Sequence, residues 1–222
     1  MSARVVSVRA GRVRVMTRPD WDRHVEREWS SAYLKDAVAG LVSVGALGLE
    51  GDEQFDRESH GGPDKAVLAY SADHYPAWRG EIGIADFGPG AFGENLTITG
   101  LDETRVCIGE RWTIGGVMLE VSQPRGPCAN ISRRWNREDL LDRVTRSRLG
   151  GWYLRVITPG RLATGDLVDR HAAASPEWTV DRVFALYTRQ VDDPDAVRAL
   201  VGLAPLAKRW RDVFERRLTR EG

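Results

Sequence analysis

The sequence predicts a mainly β chain with added helices: a β-barrel of short strands, followed by a small three-helix C-terminal domain. Three observations carry this. Short runs of alternating apolar and polar residues recur between glycine turns along most of the chain. The composition changes after Ser175-Pro176, and from Trp178 onward apolar residues return at helical spacing. The barrel is therefore expected over residues 1–174 and the helices over 175–222.

Residues 4–16 alternate, with Val6, Val8, Val13 and Val15 on the apolar beat, and read as one or two strands around Gly11. The stretch 21–38 reads two ways. Trp21, Val25 and Trp29 have helical spacing, whereas Tyr33 to Val38 looks extended. Leu41 to Leu49 reads as a strand. Ser71–Glu81 is expected to be helical, capped by Ser71 or Asp73, with Pro76 confined to the first turn. Ala91 to Ile98 gives a turn and then a strand. Arg111–Ile114 and Val117–Val121 pair across Gly115-Gly116 as a hairpin, placing Val117, Leu119 and Val121 on one face. Leu140, Leu141 and Val144 mark a short helix, and Trp152–Thr158 and Asp166–Arg170 supply further strands. Short strands with glycine turns at this frequency suggest a closed or nearly closed barrel.

Beyond the boundary, Val180, Val183, Phe184 and Tyr187 form one apolar stripe, and Trp210, Val213, Phe214 and Leu218 form another. Asp192-Asp193-Pro194 and Gly202-Leu203-Ala204-Pro205 separate the helices. A module of roughly 45 residues is too small to stand undocked. Its last helix carries Lys208, Arg209, Arg211, Arg216, Arg217 and Arg220, either a solvated cationic face or a docking face for an acidic partner or the barrel.

Composition excludes several classes of function. The chain has 222 residues, 42% hydrophobic and 29% charged, as a globular protein should. Its 32 basic residues are balanced by 32 acidic ones, so it lacks the basic excess of a dedicated nucleic-acid binder. No apolar run approaches the ~18–20 residues of a membrane span. Arginines interrupt the N-terminal stretch too often for a signal-peptide core. A cytoplasmic protein engaging neither nucleic acid nor membrane is expected.

The two cysteines, Cys107 and Cys128, cannot form a disulfide framework, and no C-x-x-C occurs. Cys107 sits in a β-branched run and reads as core packing. Cys128 ends Gln123-Pro124-Arg125-Gly126-Pro127-Cys128, whose prolines and glycine argue against both helix and central strand. A thiol on such a turn near an arginine is a candidate reactive or metal-binding group. Amides are scarce, yet Gln54, Asn95, Gln123 and Asn130 all fall in or beside the turns between 50 and 130. This points to a polar site assembled from those turns. Lys35, Lys65 and Lys208 are the only lysines.

Two glycine-rich segments, Gly48 to Gln54 continuing to His60-Gly61-Gly62-Pro63-Asp64-Lys65-Ala66-Val67, and Phe92-Gly93-Glu94-Asn95-Leu96, expose backbone N–H groups suited to an anion. The usual nucleotide-binding glycine loops are absent. His60 and His74 with Asp52 and Asp56 form one conceivable divalent-metal set, and Cys128 with His60 one conceivable nucleophile–base pair. Spacing does not choose between them.

The succession GLEGDEQFDRESHGGPDKAVLAYSADHYPAW, AFGENLTITGL and IGERWTIGGVMLEVSQPRGPC resembles the MOSC domain, named for the C-terminal part of molybdenum cofactor sulfurase. The likeness is to its YiiM-type branch, in which the MOSC-type β-barrel precedes a three-helix domain. The resemblance implies a barrel that binds the molybdenum cofactor, Mo-molybdopterin, with Cys128 as the molybdenum ligand. A soft thiolate suits such a sulfur-rich centre. It further implies reduction of small N-hydroxylated compounds such as N-hydroxylated purine bases, with electrons from a separate reductase. Asn95 and Glu94 are expected to bind the pterin, and Arg125, Lys65 and the turn at His60 its phosphate. Lys35, Tyr70 and Ser71 occupy positions where the family places cofactor contacts. His60 has the ordinary pKa for the proton donor that the chemistry requires. The alternative is a cofactor or sulfur carrier without turnover. A pyridoxal phosphate site would need Lys35 or Lys65 as its Schiff base. The helices are expected to shape the substrate cleft or a homodimer contact rather than to perform chemistry, and truncation at Ser175 to leave cofactor binding partly intact at a cost in solubility and activity.

Overall fold

The structure, a computed structural model, describes residues 2–17, 28–55 and 61–221. The chain runs β1 (Arg4–Ala10), β2 (Arg14–Thr17), β3 (Glu28–Ser31), β4 (Asp36–Ala37), β5 (Val42–Gly45), β6 (Gly48–Leu49), β7 (Val67–Ser71) and α1 (Tyr75–Ile82). It continues through β8 (Leu96–Thr99), β9 (Arg111–Ile114), β10 (Val117–Pro124), α2 (Asn130–Trp135) and α3 (Leu140–Ser147). Then come β11 (Trp152–Thr158), β12 (Gly160–Leu162), β13 (Val168–His171), α4 (Val180–Tyr187), α5 (Pro194–Val201) and α6 (Lys208–Glu221).

One mixed sheet runs in the order β13-β9-β10-β11-β7-β8-β1-β4, antiparallel throughout except for the parallel pair β7–β8. It curls into a half-barrel. Its ends are drawn together where Arg4 bridges Leu167 and the Val168 N–H donates to the Ala3 carbonyl at 3.0 Å. Ribbons β12-β5-β6 and β2-β3 complete the β structure. The mainly β architecture with C-terminal helices is the one the sequence predicts, although the barrel is half-closed.

Local departures have local causes. The single strand expected over 41–49 is a hairpin, folded at Ala46-Leu47. Gly48 has φ of 125°, and a Cβ there would lie 2.4 Å from the Ala66 carbonyl oxygen, so only glycine fits the return. The helix expected from Ser71 begins as a 3-10 turn over Ala72–His74, with Ser71 Oγ accepting the Asp73 N–H at 3.3 Å. Gln123 and Pro124 belong to β10, contrary to the reading that this segment excludes a central strand; Pro124 is tolerated because the strand ends there.

Val117, Leu119 and Val121 face a core that includes Trp112 and Trp152, whose rings meet edge to face at 5.9 Å. The same cluster continues into the helices through Val183, Phe184, Leu200, Trp210 and Phe214. Thr179 and Asp193 cap α4 and α5 by accepting the Arg182 and Ala196 N–H groups. Backbone bonds bind this module to the sheet: Val180 N to Val106 O at 2.8 Å and Ala207 N to Ser122 O at 2.9 Å. Cys107 lies within that seam, buried, its Sγ donating to the Pro176 carbonyl at 3.2 Å. Burial, and then the Glu110 carboxylate, push its thiol pKa up. On α6, Lys208 is paired with Asp212, and Arg217 reaches Asp192 at 2.7 Å.

A second aromatic cluster, around Tyr70, Tyr75, Trp78, Phe87 and Phe92, backs the loop before β8. Beside it, His74 Nε2 lies 2.6 Å from Glu103 Oε2, while Glu103 Oε1 accepts the Gly151 N–H at 2.8 Å. Burial alone would lower the His74 pKa, but the bonded Glu103 carboxylate outweighs it and raises the value above the ordinary 6.5. Such a histidine stabilises the fold fully below the unfolded value, and the contribution is lost as pH rises through the folded one. The urea midpoint is therefore expected to fall as pH rises above 6.5, with a flatter dependence in His74→Gln. Equal pH dependence in the two proteins would remove His74 from the explanation.

Candidate functional site

At one end of the half-barrel a cavity of about 740 Å³ opens between the loops and the C-terminal helices. Lys35 enters it from the loop before β4, Lys65 from the 3-10 turn before β7, and Asn95 from the residue preceding β8. Gln123 and Arg125 come from the end of β10, and Cys128 from the segment that leads into α2. All four amides singled out in the sequence, Gln54, Asn95, Gln123 and Asn130, line this one cavity.

Hydrogen bonds fix the loop ends. Asp52, just beyond β6, forms an ion pair with Lys35 and accepts the Gly11 N–H at 2.8 Å and Asn95 Nδ2 at 2.9 Å. Asn95 Oδ1 accepts the Leu68 N–H at 3.0 Å, which ties the ion pair to β7. Burial lowers the Lys35 pKa despite the raising effect of Asp52. Ser122 Oγ donates to the Asp64 carbonyl, holding the Lys65 turn against β10.

Arg125 is only 5% exposed. Its guanidinium lies over the Tyr33 ring, 5.8 Å from the centroid. Burial works to lower its pKa, but interactions with Tyr33, Cys128 and Tyr153 outweigh it and leave the group firmly charged. Burial likewise raises the pKa of Tyr33 and Tyr153, so both phenols stay protonated at neutral pH. Tyr33 packs against Gly93, where φ is 72° and a Cβ would meet the ring at 2.9 Å. Gln123 is 2% exposed; its Nε2 donates to the Pro124 carbonyl, whereas its buried Oε1 has no partner. An unpaired buried acceptor on a cavity wall is open to a donor from water or from a ligand.

Five of the residues expected at the site, Lys35, Lys65, Asn95, Arg125 and Cys128, thus meet in one cavity. Three expected cofactor contacts do not line it. Tyr70 is fully buried, stacked on Phe92 at 3.9 Å, with its hydroxyl accepting Trp78 Nε1 at 2.7 Å. Ser71 is fully buried and caps the turn after β7. Glu94 is also fully buried and accepts from Gly90 N, Phe92 N, Thr97 Oγ1 and Tyr75 Oη, so it shapes the loop that presents Asn95. His60 lies outside the described residues. The conceivable metal set loses His74 to Glu103 and Asp52 to Lys35, and no cluster of three or more His, Cys, Asp or Glu suited to a metal occurs among the described residues.

Tyr33 and Tyr153 also line the cavity, although the sequence did not single them out, and Tyr187, Arg209 and Trp210 reach it from the helices expected to shape a cleft or a dimer contact. Alternation does carry a signal for Tyr153, since Trp152 and Leu154 point into the core and leave it on the opposite face.

The fold and site define a class. Residues 56–169 match the family model of the MOSC domain, and this chain belongs to that family. MOSC domains in general are associated with molybdenum cofactor binding. Residues 178–221 match the YiiM-like, 3-alpha helix domain. The chain is 33% identical to protein YiiM of Escherichia coli, over 84% of each chain. It is 36% identical to a protein of Gibberella moniliformis named "Reductase", over 79% of this chain but 30% of that one. The crystal structure of YiiM from Geobacillus stearothermophilus superposes with a TM-score of 0.80 at 28% identity, covering 97% of this chain and 99% of the other. No described helix is long and apolar enough to cross a membrane.

Proposed function

We propose that this cavity binds the molybdenum cofactor and that the protein is a reductase of small N-hydroxylated compounds, including N-hydroxylated purine bases. The observation that carries the reading is the juxtaposition of Cys128 with the buried, charged Arg125 in a cavity that also holds Lys35, Lys65 and four amides. The donor set suits the group. A thiolate is a soft ligand for a sulfur-rich metal centre. Lys65 and Arg125 supply charge for a phosphate. Asn130 and the unpaired Gln123 Oε1 suit the hydrogen-bonding edges of a pterin, while Asn95, its amide bonded to Asp52, Arg9 and Leu68, holds that wall in place.

When bound, the cofactor supplies the two electrons that cleave the N–O bond, the substrate nitrogen gaining hydrogen and the oxygen leaving as water with two protons consumed in all. The chain's own residues prepare this reaction. Cys128 would hold the metal through Sγ as the thiolate, in the field of the fixed positive charge of Arg125. Tyr33 and Tyr153 hold Arg125 in place and keep their own protons. The Lys35–Asp52 pair and Asn95 fix the spacing of three loops. His60 is assigned proton donation, and a separate electron-donating reductase replenishes the electrons.

The test is turnover of an N-hydroxylated base with a reduced dye as electron donor, using protein made in a cofactor-competent host. The parent base and water should appear with one dye equivalent of two electrons consumed per base. Retained molybdenum without turnover would identify a carrier instead.

A further inference from the structure

Three residues of the C-terminal helices line the cavity that contains Cys128: Tyr187 at the end of α4, and Arg209 and Trp210 in the first turn of α6. The chemistry above uses none of them. The Tyr187 and Trp210 rings lie 4.3 Å apart between centroids, inclined by 32°. Phe214 meets Tyr187 edge-on at 6.5 Å, and Phe184 stacks on it at 6.3 Å. The pair is therefore braced from the core side. Trp210 is buried and Tyr187 half-buried, so the wall is rigid yet remains part of the cavity surface. Exposed Arg209 adds a guanidinium at its edge.

The cavity is thus divided by chemistry. The barrel loops contribute thiol, amides and ion pair, while the helices contribute aromatic faces and a cation. At about 740 Å³ it lies in the upper part of the range for ligand pockets, about 300–1,000 Å³. The aromatic residues of the helices and Cys128 with its loop line one and the same cavity. A rigid aromatic face flanked by a guanidinium is matched by a flat ring with nitrogen lone pairs, through stacking and hydrogen bonds from the cation.

We propose that Tyr187, Trp210 and Arg209 form the recognition wall for a planar nitrogen heteroaromatic base, so that the C-terminal helices set the preference for such bases over aliphatic N-hydroxylated compounds. The inference rests on the reductase reading for the fate of the base, but not for its binding.

Adenine, which has no N–O bond to reduce, is the probe. Its affinity is measured by equilibrium dialysis against the full-length, cofactor-loaded chain. Tyr187→Leu keeps apolar volume but removes the ring, and should weaken adenine binding by about tenfold, equivalent to about 1.4 kcal/mol and within the span of base–aromatic stacking. Tyr187→Phe keeps the ring and should stay within about twofold of the parent, since stacking needs only the π face. Arg209→Gln, at an exposed position, tests the wall without touching the core and should cost about threefold, as expected for loss of one solvent-exposed hydrogen bond. Unchanged affinity in Tyr187→Leu and Arg209→Gln, or no adenine binding by the parent, overturns the proposal. Dye-driven turnover and metal content of the same parent preparation separate the two readings. Adenine binding without turnover supports the wall and removes the reductase, whereas turnover without adenine binding removes the wall alone.

Discussion

Cys128→Ala is expected to abolish reduction of an N-hydroxylated base, with a loss of at least about 100-fold, the upper end for losing a group that merely orients a metal ligand. Cys107→Ala should retain most of the activity. The contrast is structural. Cys128 lines the cavity beside Arg125, whereas Cys107 is buried in the seam between sheet and helices with its thiol bonded to a backbone carbonyl. Steady-state turnover with a reduced dye, read alongside molybdenum content and thermal unfolding, checks both variants. Parental activity in Cys128→Ala would place the metal ligand elsewhere. Loss of activity in Cys107→Ala at unchanged stability would give that thiol a role which its surroundings do not suggest.

Truncation after Ser175 is expected to destroy the cooperative fold. From the sequence alone, a truncate would partly keep its cofactor at a cost in solubility. The shared core changes that expectation. Trp178, Val183, Phe184, Leu200, Trp210 and Phe214 belong to the same buried cluster as the sheet residues Trp112, Leu119 and Trp152. At ~1.5–3 kcal/mol for each large apolar side chain buried, the six contribute on the order of 10 kcal/mol or more. The net stability of a domain is only about 5–15 kcal/mol. Truncation also removes the partners of the Val106 carbonyl and Ile108 N–H and exposes the apolar surface that the helices cover. The expected result is an aggregating product without a sharp urea transition. A soluble, monomeric truncate with a cooperative transition and bound pterin would show that the helices are dispensable.

Much of this was legible because it rests on local rules. Gly115-Gly116 between two alternating runs specified the β9–β10 hairpin, and apolar spacing with Asp193-Pro194 specified the start of α5. The scarcity of amides located the cavity, since a chain that rarely uses Asn and Gln placed four of them on one wall system. What the sequence hid is set by distant contacts. Glu94 reads as a ligand-binding carboxylate until the four donors converging on it are seen. Arg125 reads as a phosphate-binding cation alone; buried beside Tyr33 and Tyr153, it is a structural charge as well. Tyr187 and Trp210 obey helical periodicity, which reports only that a face is covered, and cannot say whether part of the cover is a cavity.

The most direct test of the central claim is molybdenum and pterin content of the full-length protein made in a cofactor-competent host, measured for the parent and for Cys128→Ser. Cofactor bound through Cys128 gives the parent near-equal amounts of molybdenum and pterin per chain. The serine variant should lose metal, or hold it with an altered sulfur-ligand signature in X-ray absorption, while the fold is unchanged. A parent free of both molybdenum and pterin after expression in such a host, or identical metal spectra in the two proteins, would contradict it.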